Sequence, residues 1–373
     1  MRGVKKMKRI LFAIYDKFSH DQRALETIKS LSNIGEVTVV SYDKVDNWDK
    51  IKFIVSDNGK RNYLQFKKSL KKTYKKLKPD IVFLHDNYAA FFINWLRKKK
   101  ENVIIGYDSS ELYYDKYDIS IRGLKSLILN IQEKKYISQT DFVFAANLER
   151  AKIMKDVFHL KKCPIVWDNV HRIDDNINKK ECDKKFGNIV SNSQNIIFYC
   201  GGIHHNRGTF ELIEAVKELG NKYKLVIAGT ASKEELKEYK KVLNGSSIKN
   251  FTYIGFVTRS ELKYFLKKSK ISVSIFDLSC INHIFCASGK IYESIFEGVP
   301  ILTSTNPPFT RLCNEYGIGV STDDYISGIK KIMNNYDEYV NNTKKLIKML
   351  DYDNRIDKLT NLILNEIKHN QRG

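Results

Sequence analysis

The sequence predicts an α/β protein with two Rossmann-like domains, each built on a doubly wound parallel sheet. A single hydrophobic core rarely serves more than about 250–300 residues, and this chain has 373. Short β-branched or aromatic runs alternate with helical patterns from end to end, and the runs are apolar on both faces. That pattern is typical of parallel strands covered by helices on both sides. We therefore expect two domains that face each other across a cleft, followed by C-terminal helices.

The first half of the chain predicts an N-terminal domain over residues 1–170. Basic residues precede a short apolar run that ends at Asp16 without a cleavage site, so this run is interpreted as a strand and not as a signal peptide. The predicted strands are KRILFAIY (8–15), VTVVSY (37–42), KFIVS (52–56), DIVFLHD (80–86), NVIIGYD (102–108), DFVFAA (141–146) and PIVWDN (164–169). The predicted helices span 21–33, 61–78, 88–100, 120–139 and 147–159.

The second half predicts another domain, over residues 171–350, which opens with a polar stretch (171–194) interpreted as the domain boundary. Its predicted strands are NIIFYCGG (195–202), KLVIAGT (224–230), FTYIGFV (251–257), ISVSIFD (271–277), PILTS (300–304) and YGIGVST (316–322). Its predicted helices span 208–219, 232–243, 259–269 and 289–297. Residues 351–373 predict a C-terminal helix that could pack back on the N-terminal domain.

Composition limits the cellular context and the partners. Six cysteines without a C-x-x-C pair indicate free thiols in a reducing cytoplasm, and no apolar run approaches the roughly 20 residues that span a bilayer. The formal net charge is +21. Lysines cluster at 67–78 and 95–100, and helix 119–137 combines a basic face with Leu124, Leu127, Ile128 and Ile131. Two explanations of these basic clusters remain open: they are solvated helix faces, or they bind an anionic membrane surface. Nucleic acid is disfavoured because no recognition signature accompanies the charge.

The stretch YCGGIHHNRGTFELIEAV (199–216) has the residues of an anion site. Gly201 and Gly202 end a strand and let the backbone approach a ligand, and a helix start offers free N–H groups. Arg207 stands where it can add a fork of donors to a phosphate. The alternative is a tight strand–helix turn with a solvent-exposed arginine.

A second candidate is CASGKIYESIFEGVPILTS (286–304). Ser288 can cap a helix that starts at Gly289, and Lys290 in the first turn opposes the helix dipole unless an anion is bound there. Glu293 lies one turn further, within reach of such a ligand. Glu297 lies at the C-terminal end of the helix, where a carboxylate is expected to be solvated or to pack against the next strand.

Further candidates end the N-terminal strands. His85 and Asp86 lie at the end of one strand, and Asp108 and Glu111 close the next. A zinc site at Cys280, His283 and Cys286 is disfavoured because no fourth ligand appears at a recognisable spacing. We expect no metal.

Taken together, these motifs resemble the retaining GT-B glycosyltransferases of family 4 (glycosyl transferases group 1). The series runs from SHDQRALETIKSLSNIGEVTVV through PDIVFLHD, YDSSELY, TDFVFAAN and YCGGIHHNRGTFELIEA to SGKIYESIFEGVPILTS. The resemblance implies that Glu293 binds the donor ribose, Arg207 the diphosphate and His85 the transferred sugar. It also implies a backbone cradle at Ala287–Lys290.

The chain departs from this family pattern at three positions. The first glutamate of the family's E-x7-E motif falls at Phe285, and Gly202 replaces a frequent arginine, which leaves Arg207 and Lys290 to neutralise the diphosphate. Ser110 replaces a histidine that many members carry. These departures leave the donor sugar open.

The expected function is metal-independent, retaining transfer of a sugar from a UDP- or GDP-sugar to an acceptor hydroxyl. The acceptor is expected to be a carbohydrate, a lipid-linked molecule or a protein, in surface polysaccharide, glycolipid or glycoconjugate synthesis. The protein is expected in the cytoplasm, with possible peripheral attachment to the inner membrane face. Two alternatives remain: a GT-B sugar-nucleotide 2-epimerase, and a basic nucleic-acid- or membrane-binding protein with a degenerate cleft.

Overall fold

The structure, a computed structural model, forms two compact units: residues 1–168 with 351–373, and residues 169–350. We refer to them as the N-terminal and C-terminal units. The structure describes residues 7–370 except for 17–18, 20, 46–47, 49–50, 113–122, 191–193, 203–206 and 239–249. For residue 58 and residues 123–127 it describes only the backbone.

The N-terminal unit contains a seven-stranded sheet in the order β3-β2-β1-β4-β5-β6-β7. Each described strand pair is parallel. The strands are β1 (Lys8–Ile14), β2 (Gly35–Ser41), β3 (Ile51–Val55), β4 (Ile81–His85), β5 (Ile104–Ser109), β6 (Phe142–Ala145) and β7 (Ile165–Val166). The helices are α1 (Gln22–Ser32), α2 (Tyr63–Leu77), α3 (Phe91–Lys98), α4 (Gly123–Tyr136), α5 (Leu148–Val157) and the C-terminal α14 (Arg355–Asn370).

The last helix completes the core of the N-terminal unit. Leu359, Ile363 and Ile367 of α14 are buried among residues of β1, β2, β4, β6 and α1. Their spacing of four residues puts all three on one face of the helix. The chain therefore leaves the N-terminal unit near residue 168 and returns to it near residue 351.

The C-terminal unit contains a six-stranded sheet in the order β10-β9-β8-β11-β12-β13, again with parallel pairs among the described strands. The strands are β8 (Asn195–Cys200), β9 (Tyr223–Ala228), β10 (Phe251–Gly255), β11 (Ile271–Ser274), β12 (Ile301–Thr303) and β13 (Gly319–Ser321). The helices are α6 (Lys179–Val190), α7 (Thr209–Leu219), α8 (Arg259–Lys268), α9 (Ile281–Ile284), α10 (Gly289–Phe296), α11 (Pro307–Tyr316), α12 (Tyr325–Asn334) and α13 (Tyr336–Leu350).

The predicted fold class, two Rossmann-like parallel-sheet units with C-terminal helices, is confirmed. The polar stretch 171–194, interpreted from the sequence as the domain boundary, contains a helix that was not predicted: residues Lys179–Val190 form α6. This helix buries Cys182 and Phe186 against Phe198 and Phe265, so two apolar side chains four residues apart anchor an otherwise polar helix.

Both sheets reverse their strand order at one place, between β1 and β4 in the first sheet and between β8 and β11 in the second. Open parallel sheets bind ligands beyond the carboxyl ends of the strands at such a switch point. In the N-terminal unit, His85 is the last residue of β4. In the C-terminal unit, Gly201 follows β8 and Ile275 follows β11.

No helix among the described residues is both long enough and apolar enough to cross a membrane.

Candidate functional site

The first segment of the candidate site joins β8 to α7. Arg207 places its guanidinium 3.9 Å from the centre of the Phe276 ring. No described carboxylate lies within ion-pairing distance of it. Gly208 begins α7 with a φ of +58°, and a side chain there would also meet the Tyr325 hydroxyl at 2.6 Å. The hydroxyl of Thr209 is buried without a hydrogen-bond partner among the described residues. The start of α7 therefore offers uncapped amide groups, an orphan hydroxyl and an arginine.

The second segment is the start of α10. Ser288 occupies the predicted N-cap position of α10. Its side chain makes no hydrogen bond to the helix amides, so the predicted capping by the hydroxyl was wrong. Its hydroxyl oxygen instead accepts a hydrogen bond from the Ser274 hydroxyl (3.4 Å). Gly289 is required for packing, because a Cβ there would lie 2.3 Å from Nδ1 of His171. The first amide groups of α10 are thus left without a side-chain acceptor.

Both segments meet at the carboxyl end of β11. Arg207 reaches this edge through Phe276, and Ser288 reaches it through Ser274. Lys290 is near the end of β8 as well. Burial raises the pKa of the Cys200 thiol, and the positive charge of Lys290 opposes that shift. The structure therefore brings Gly201, Arg207, Ser288 and Lys290 to the switch point of the C-terminal sheet.

Glu293 lies one turn inside α10 and is buried. Its Oε1 is 3.5 Å from Nη1 of Arg259, which also binds Asp175 through Nε (3.0 Å). Burial raises the pKa of Glu293 above its usual value, and the positive charges of Arg259 and Lys290 offset only part of that rise. Arg259 was not predicted from the sequence. Its position directly after Thr258, the N-cap of α8, places it at a second helix start, but its pairing with Glu293 depends on the fold.

Glu297 does not lie in solvent, which was one of the two expected positions for its side chain. Its side chain is only 8% exposed, with oxygens 3.9 Å from Nζ of Lys263 and 3.8 Å from Nζ of Lys267. The lysines lie one turn apart on α8. The unfavourable position of Glu297 at the end of its helix is offset by these two charges, and the expectation of a solvated side chain was wrong.

In the N-terminal unit, His85 lies among three carboxylates and is 1% exposed. Its Nε2 is 3.3 Å from Oδ2 of Asp21 and 3.6 Å from Oδ2 of Asp86, and its Nδ1 is 3.4 Å from Oδ2 of Asp108. Neither ring nitrogen makes a hydrogen bond of good geometry with a described residue. Asp108 is also bound by two nitrogens of the buried Arg23.

This cluster strongly perturbs the protonation of its members. Burial lowers the pKa of His85, but Asp86, Asp108 and Asp21 raise it well above its usual value. Burial raises the pKa of Asp86 to about 6. Burial also raises the pKa of Asp21, but His85 outweighs it and brings that pKa to about 2. The three carboxylates therefore favour the imidazolium form of His85, which lies behind the more exposed Asp21 and Asp86.

Asp86 has an unusual backbone. Its φ of +58° with ψ of 172° is a backbone conformation that residues other than glycine rarely adopt. The carboxylate is fixed by the Ser110 amide (2.9 Å) and hydroxyl (2.8 Å). Ser110, one of the departures from the family pattern, therefore orients the carboxylate next to His85. The sequence identified His85, Asp86 and Asp108 together, but not Asp21 or Arg23.

The predicted positions near Cys280 form no metal site in the part of the chain that is described: no cluster of three His, Cys, Asp or Glu residues there could hold an ion. His283 instead places Nδ1 2.7 Å from Oδ1 of Asp277. His204 and His205 lie outside the described residues.

Comparison with known proteins gives a family likeness for part of the chain and a fold for nearly all of it. Residues 181–349 match the family model described as "Glycosyl transferases group 1". No curated protein matches the chain in sequence.

Solved structures match almost the whole chain. HepE (Alr3699) of Anabaena, in complex with UDP-glucose, shares 12% identity over 97% of this chain and 100% of its own, with a TM-score of 0.69. A glycosyltransferase of Rickettsia africae shares 15% identity over 97% of this chain and 99% of its own, with a TM-score of 0.71. WaaG, a glycosyltransferase involved in lipopolysaccharide biosynthesis, shares 13% identity over 95% of this chain and 99% of its own, with a TM-score of 0.67.

These likenesses establish the fold, and the family model covers most of the C-terminal unit. The predicted resemblance to GT-B glycosyltransferases is confirmed, while retention and membership of family 4 stay predictions. The C-terminal unit is therefore similar to the glycosyl transferases group 1 over residues 181–349, and the chain as a whole has the GT-B glycosyltransferase fold.

Proposed function

We propose that this protein is a retaining glycosyltransferase that moves a sugar from a nucleotide diphosphate sugar to an acceptor hydroxyl. The observation that carries the proposal is the convergence of Arg207, Lys290 and two uncapped helix starts at the end of β11. UDP is the first candidate nucleotide, since the solved HepE structures hold UDP, UDP with glucose, or UDP-glucose.

The chemistry follows from the charge of the leaving group. Cleavage of the bond between sugar and phosphate builds negative charge on the nucleoside diphosphate, and preorganised donors stabilise that charge in the transition state. Arg207, Lys290 and the first amides of α7 and α10 supply such donors, so a metal ion is not required for this step. Glu293 is proposed to bind the ribose hydroxyls, and Gly201, Gly202 and Gly289 let the backbone approach the donor.

Retention is proposed to follow from reaction on one face of the sugar, where the leaving phosphate helps to deprotonate the acceptor. No protein nucleophile is needed in that mechanism. His85, which the family resemblance assigns to the transferred sugar, is proposed to act as an imidazolium donor oriented by Asp21, Asp86 and Asp108.

The test is a thermal-shift and hydrolysis screen over UDP- and GDP-sugars, with and without EDTA. We expect at least one nucleotide to raise the Tm, and EDTA to leave the effect unchanged. Arg207→Ala should weaken binding by about tenfold to a hundredfold, because a charged hydrogen bond is lost. Arg311→Ala is the matched control, since Arg311 pairs with Glu315 on α11. The proposal fails if no nucleotide shifts the Tm and Arg207→Ala changes nothing.

The acceptor is proposed to be lipid-linked and the protein peripheral at the inner membrane face, with a free carbohydrate or a protein as the other acceptors. The α2–α3 surface carries this proposal. Lys67 lies over the rings of Tyr63 and Phe91, and Lys71 and Lys99 flank Trp95. Basic groups beside aromatic rings suit an anionic bilayer interface.

Helix α4 was the other predicted membrane-facing element. Ile128 and Ile131 of α4 are exposed, whereas the side chains of Leu124 and Leu127 lie outside the described residues.

Sedimentation with anionic and neutral vesicles tests this membrane proposal. Binding is expected for anionic vesicles at low salt and should weaken as salt screens the charges. Lys71→Gln with Lys75→Gln should reduce it. Lys344→Gln with Lys345→Gln on α13 keeps the same net charge and should not. Equal loss in both double variants would show a nonspecific effect of net charge.

A second candidate, a sugar-nucleotide 2-epimerase, is favoured by the three carboxylates around His85. Such enzymes use paired acidic residues and a histidine near the sugar. Incubation with donor alone separates the two: an isomerised sugar nucleotide would indicate the epimerase, whereas a transferase would give at most slow hydrolysis. Salt-sensitive RNA binding without any response to nucleotide sugars would favour the nucleic-acid alternative.

A further inference from the structure

The segment between β11 and α10 carries an aspartate–histidine pair. His283 Nδ1 lies 2.7 Å from Oδ1 of Asp277, and the same oxygen accepts hydrogen bonds from the Ser279 hydroxyl (2.7 Å) and amide (3.2 Å). The other oxygen, Oδ2, is buried without a partner among the described residues. The His283 side chain is 24% exposed, so it can reach a ligand from this edge of the sheet.

The pair is fixed by a buried amide. Asn306, which is fully buried, donates through Nδ2 to the carbonyl oxygens of His283 (2.8 Å) and Asp277 (3.4 Å). Its Oδ1 accepts from the hydroxyl of Ser304 (2.5 Å), and the Ser304 oxygen in turn accepts from the amide of Phe276 (3.0 Å). The loop is thus tied to the residues after β12, which preorganises the two side chains.

The pair also lies beside the proposed diphosphate site. The ring of Phe276 has the guanidinium of Arg207 3.9 Å from its centre and the ring of His283 at a centroid distance of 5.8 Å, edge to face. Asp277 follows Phe276 directly, at the switch point of this sheet. A group attached to a phosphate held by Arg207 would therefore lie near His283.

The chemistry of the pair selects its ligand. Burial raises the pKa of Asp277, but His283 and Ser279 outweigh it and lower that pKa, so the carboxylate is ionised at neutral pH. A carboxylate acceptor beside Nδ1 favours the tautomer that carries its proton on that nitrogen, and in this tautomer Nε2 is a hydrogen-bond acceptor. An oriented acceptor beside a phosphate site suits a hydroxyl group.

We propose that the Asp277–His283 pair binds a hydroxyl of the transferred sugar and determines which sugar nucleotide the enzyme accepts. This inference rests on the proposed function. It also identifies a polar group close to Phe285, where the chain lacks the family's glutamate. Asp277 is a positioning residue in this arrangement, because it acts through His283.

The test separates sugar recognition from nucleotide binding. Dissociation constants are measured by calorimetry for UDP, GDP and their glucose, galactose, mannose and N-acetylglucosamine conjugates. His283→Asn places an amide nitrogen where Nδ1 lies and removes Nε2. We expect this variant to bind the nucleoside diphosphate within about twofold of the wild type, but to lose about tenfold of the preference among sugars. His283→Gln, which retains a polar group near Nε2, should recover part of the preference.

Three outcomes distinguish the possibilities. Unchanged sugar preference in a folded His283→Asn variant would overturn the inference and leave the proposed function standing. An equal loss of affinity for nucleoside diphosphate and sugar nucleotide, with a lower Tm, would show a structural role for the pair and also overturn it. A wild-type protein that binds neither nucleotide nor sugar nucleotide would reject the proposed function, and the inference with it.

Discussion

Gly289 shows how one missing side chain lets two segments touch. The ring of His171 occupies the space that a Cβ would need, with three ring atoms 2.3–2.8 Å from its ideal position. We predict that Gly289→Ala lowers the free energy of unfolding by about 1–3 kcal/mol, because ring or helix must shift. Chemical denaturation measures this change. The nucleotide-induced Tm shift should fall as well, because the start of α10 moves.

Two variants control that prediction. His171→Ala in the Gly289→Ala background should restore part of the stability, since it removes the obstructing ring. Gly187→Ala, in α6 with nothing within 4 Å of the added carbon, should instead stabilise the protein by about 0.5–1 kcal/mol through helix propensity. A destabilised Gly187→Ala variant, or no coupling between Gly289 and His171, would contradict this explanation.

Asp21 links the His85 cluster to pH. Its pKa is lowered to about 2 in the folded state from 3.8, chiefly by His85 against the effect of burial. A depressed pKa contributes stability above the unfolded value and loses it as pH falls through the folded value. The contribution is therefore about 2 kcal/mol at pH 7 and roughly half of that at pH 3. Asp21→Asn should remove it while keeping the N-cap bond from the Ala24 amide.

Urea denaturation at pH 7, 5 and 3 measures the effect of Asp21→Asn. The stability difference from the wild type should be nearly constant between pH 7 and 5 and should shrink at pH 3. Asp324→Asn at the exposed N-cap of α12 is the matched control, and it should show a smaller difference. A difference independent of pH would show that the carboxylate charge is not responsible.

The sequence predicted residues that lie close together along the chain, and it failed where partners are remote. His85, Asp86 and Asp108 were identifiable because each ends or follows a strand of a parallel sheet. Asp21 and Arg259 could not be paired with His85 and Glu293, because these contacts join separate elements. For the same reason the two lysines beside Glu297 could not be predicted, because they belong to α8.

At the scale of elements, the strands were predicted well and some helices were not. Buried parallel strands give continuous apolar runs that stand out in any sequence. In contrast, α6 exposes most of its surface and buries only Cys182 and Phe186, so its composition resembles that of a linker. The short α11 begins with Pro307 and Pro308, which suit a first helical turn but also suit a loop.

One buried ion pair joins α14 to the core of the N-terminal unit. Arg355 Nε lies 2.9 Å from Oε2 of Glu26, which also accepts from Trp167 Nε1 (3.2 Å), and the guanidinium stacks on the Trp167 ring. We predict that Arg355→Ala lowers the free energy of unfolding by about 3–5 kcal/mol, because Glu26 is left buried without its cation. Chemical denaturation of the full chain measures this change.

A double variant separates the pair from the packing. Arg355→Met with Glu26→Leu removes both charges and keeps apolar volume, and most of the stability should return. Lys358, which also lies on α14, forms an exposed pair with Asp351, which precedes the helix. Lys358→Ala should have little effect, because solvent screens such pairs. If Arg355→Ala is as mild as Lys358→Ala, then α14 docks through its apolar face alone.

At the scale of the whole molecule, one architecture occurs twice, and the chain crosses between its two copies twice. The C-terminal unit is continuous in sequence, whereas the N-terminal unit needs residues from both ends of the chain. Sequence patterns predict helix α14, but they do not say which core receives Leu359, Ile363 and Ile367. That assignment depends on the three side chains meeting β1, β2 and α1.

This arrangement predicts an unequal effect of truncation. A chain that ends at residue 350 lacks α14, so the N-terminal unit loses three buried aliphatic side chains, each worth roughly 2–5 kcal/mol if truncated in place. Residues 169–350 keep all of their own elements. We expect hydrogen exchange to show lost protection in β1, β2 and β4, while β8, β9 and β11 stay protected and a nucleotide still raises the Tm of the C-terminal unit. A chain that ends at residue 370 is the control and should behave as the full protein. Loss of protection in both units together would show that the two fold as a single cooperative structure.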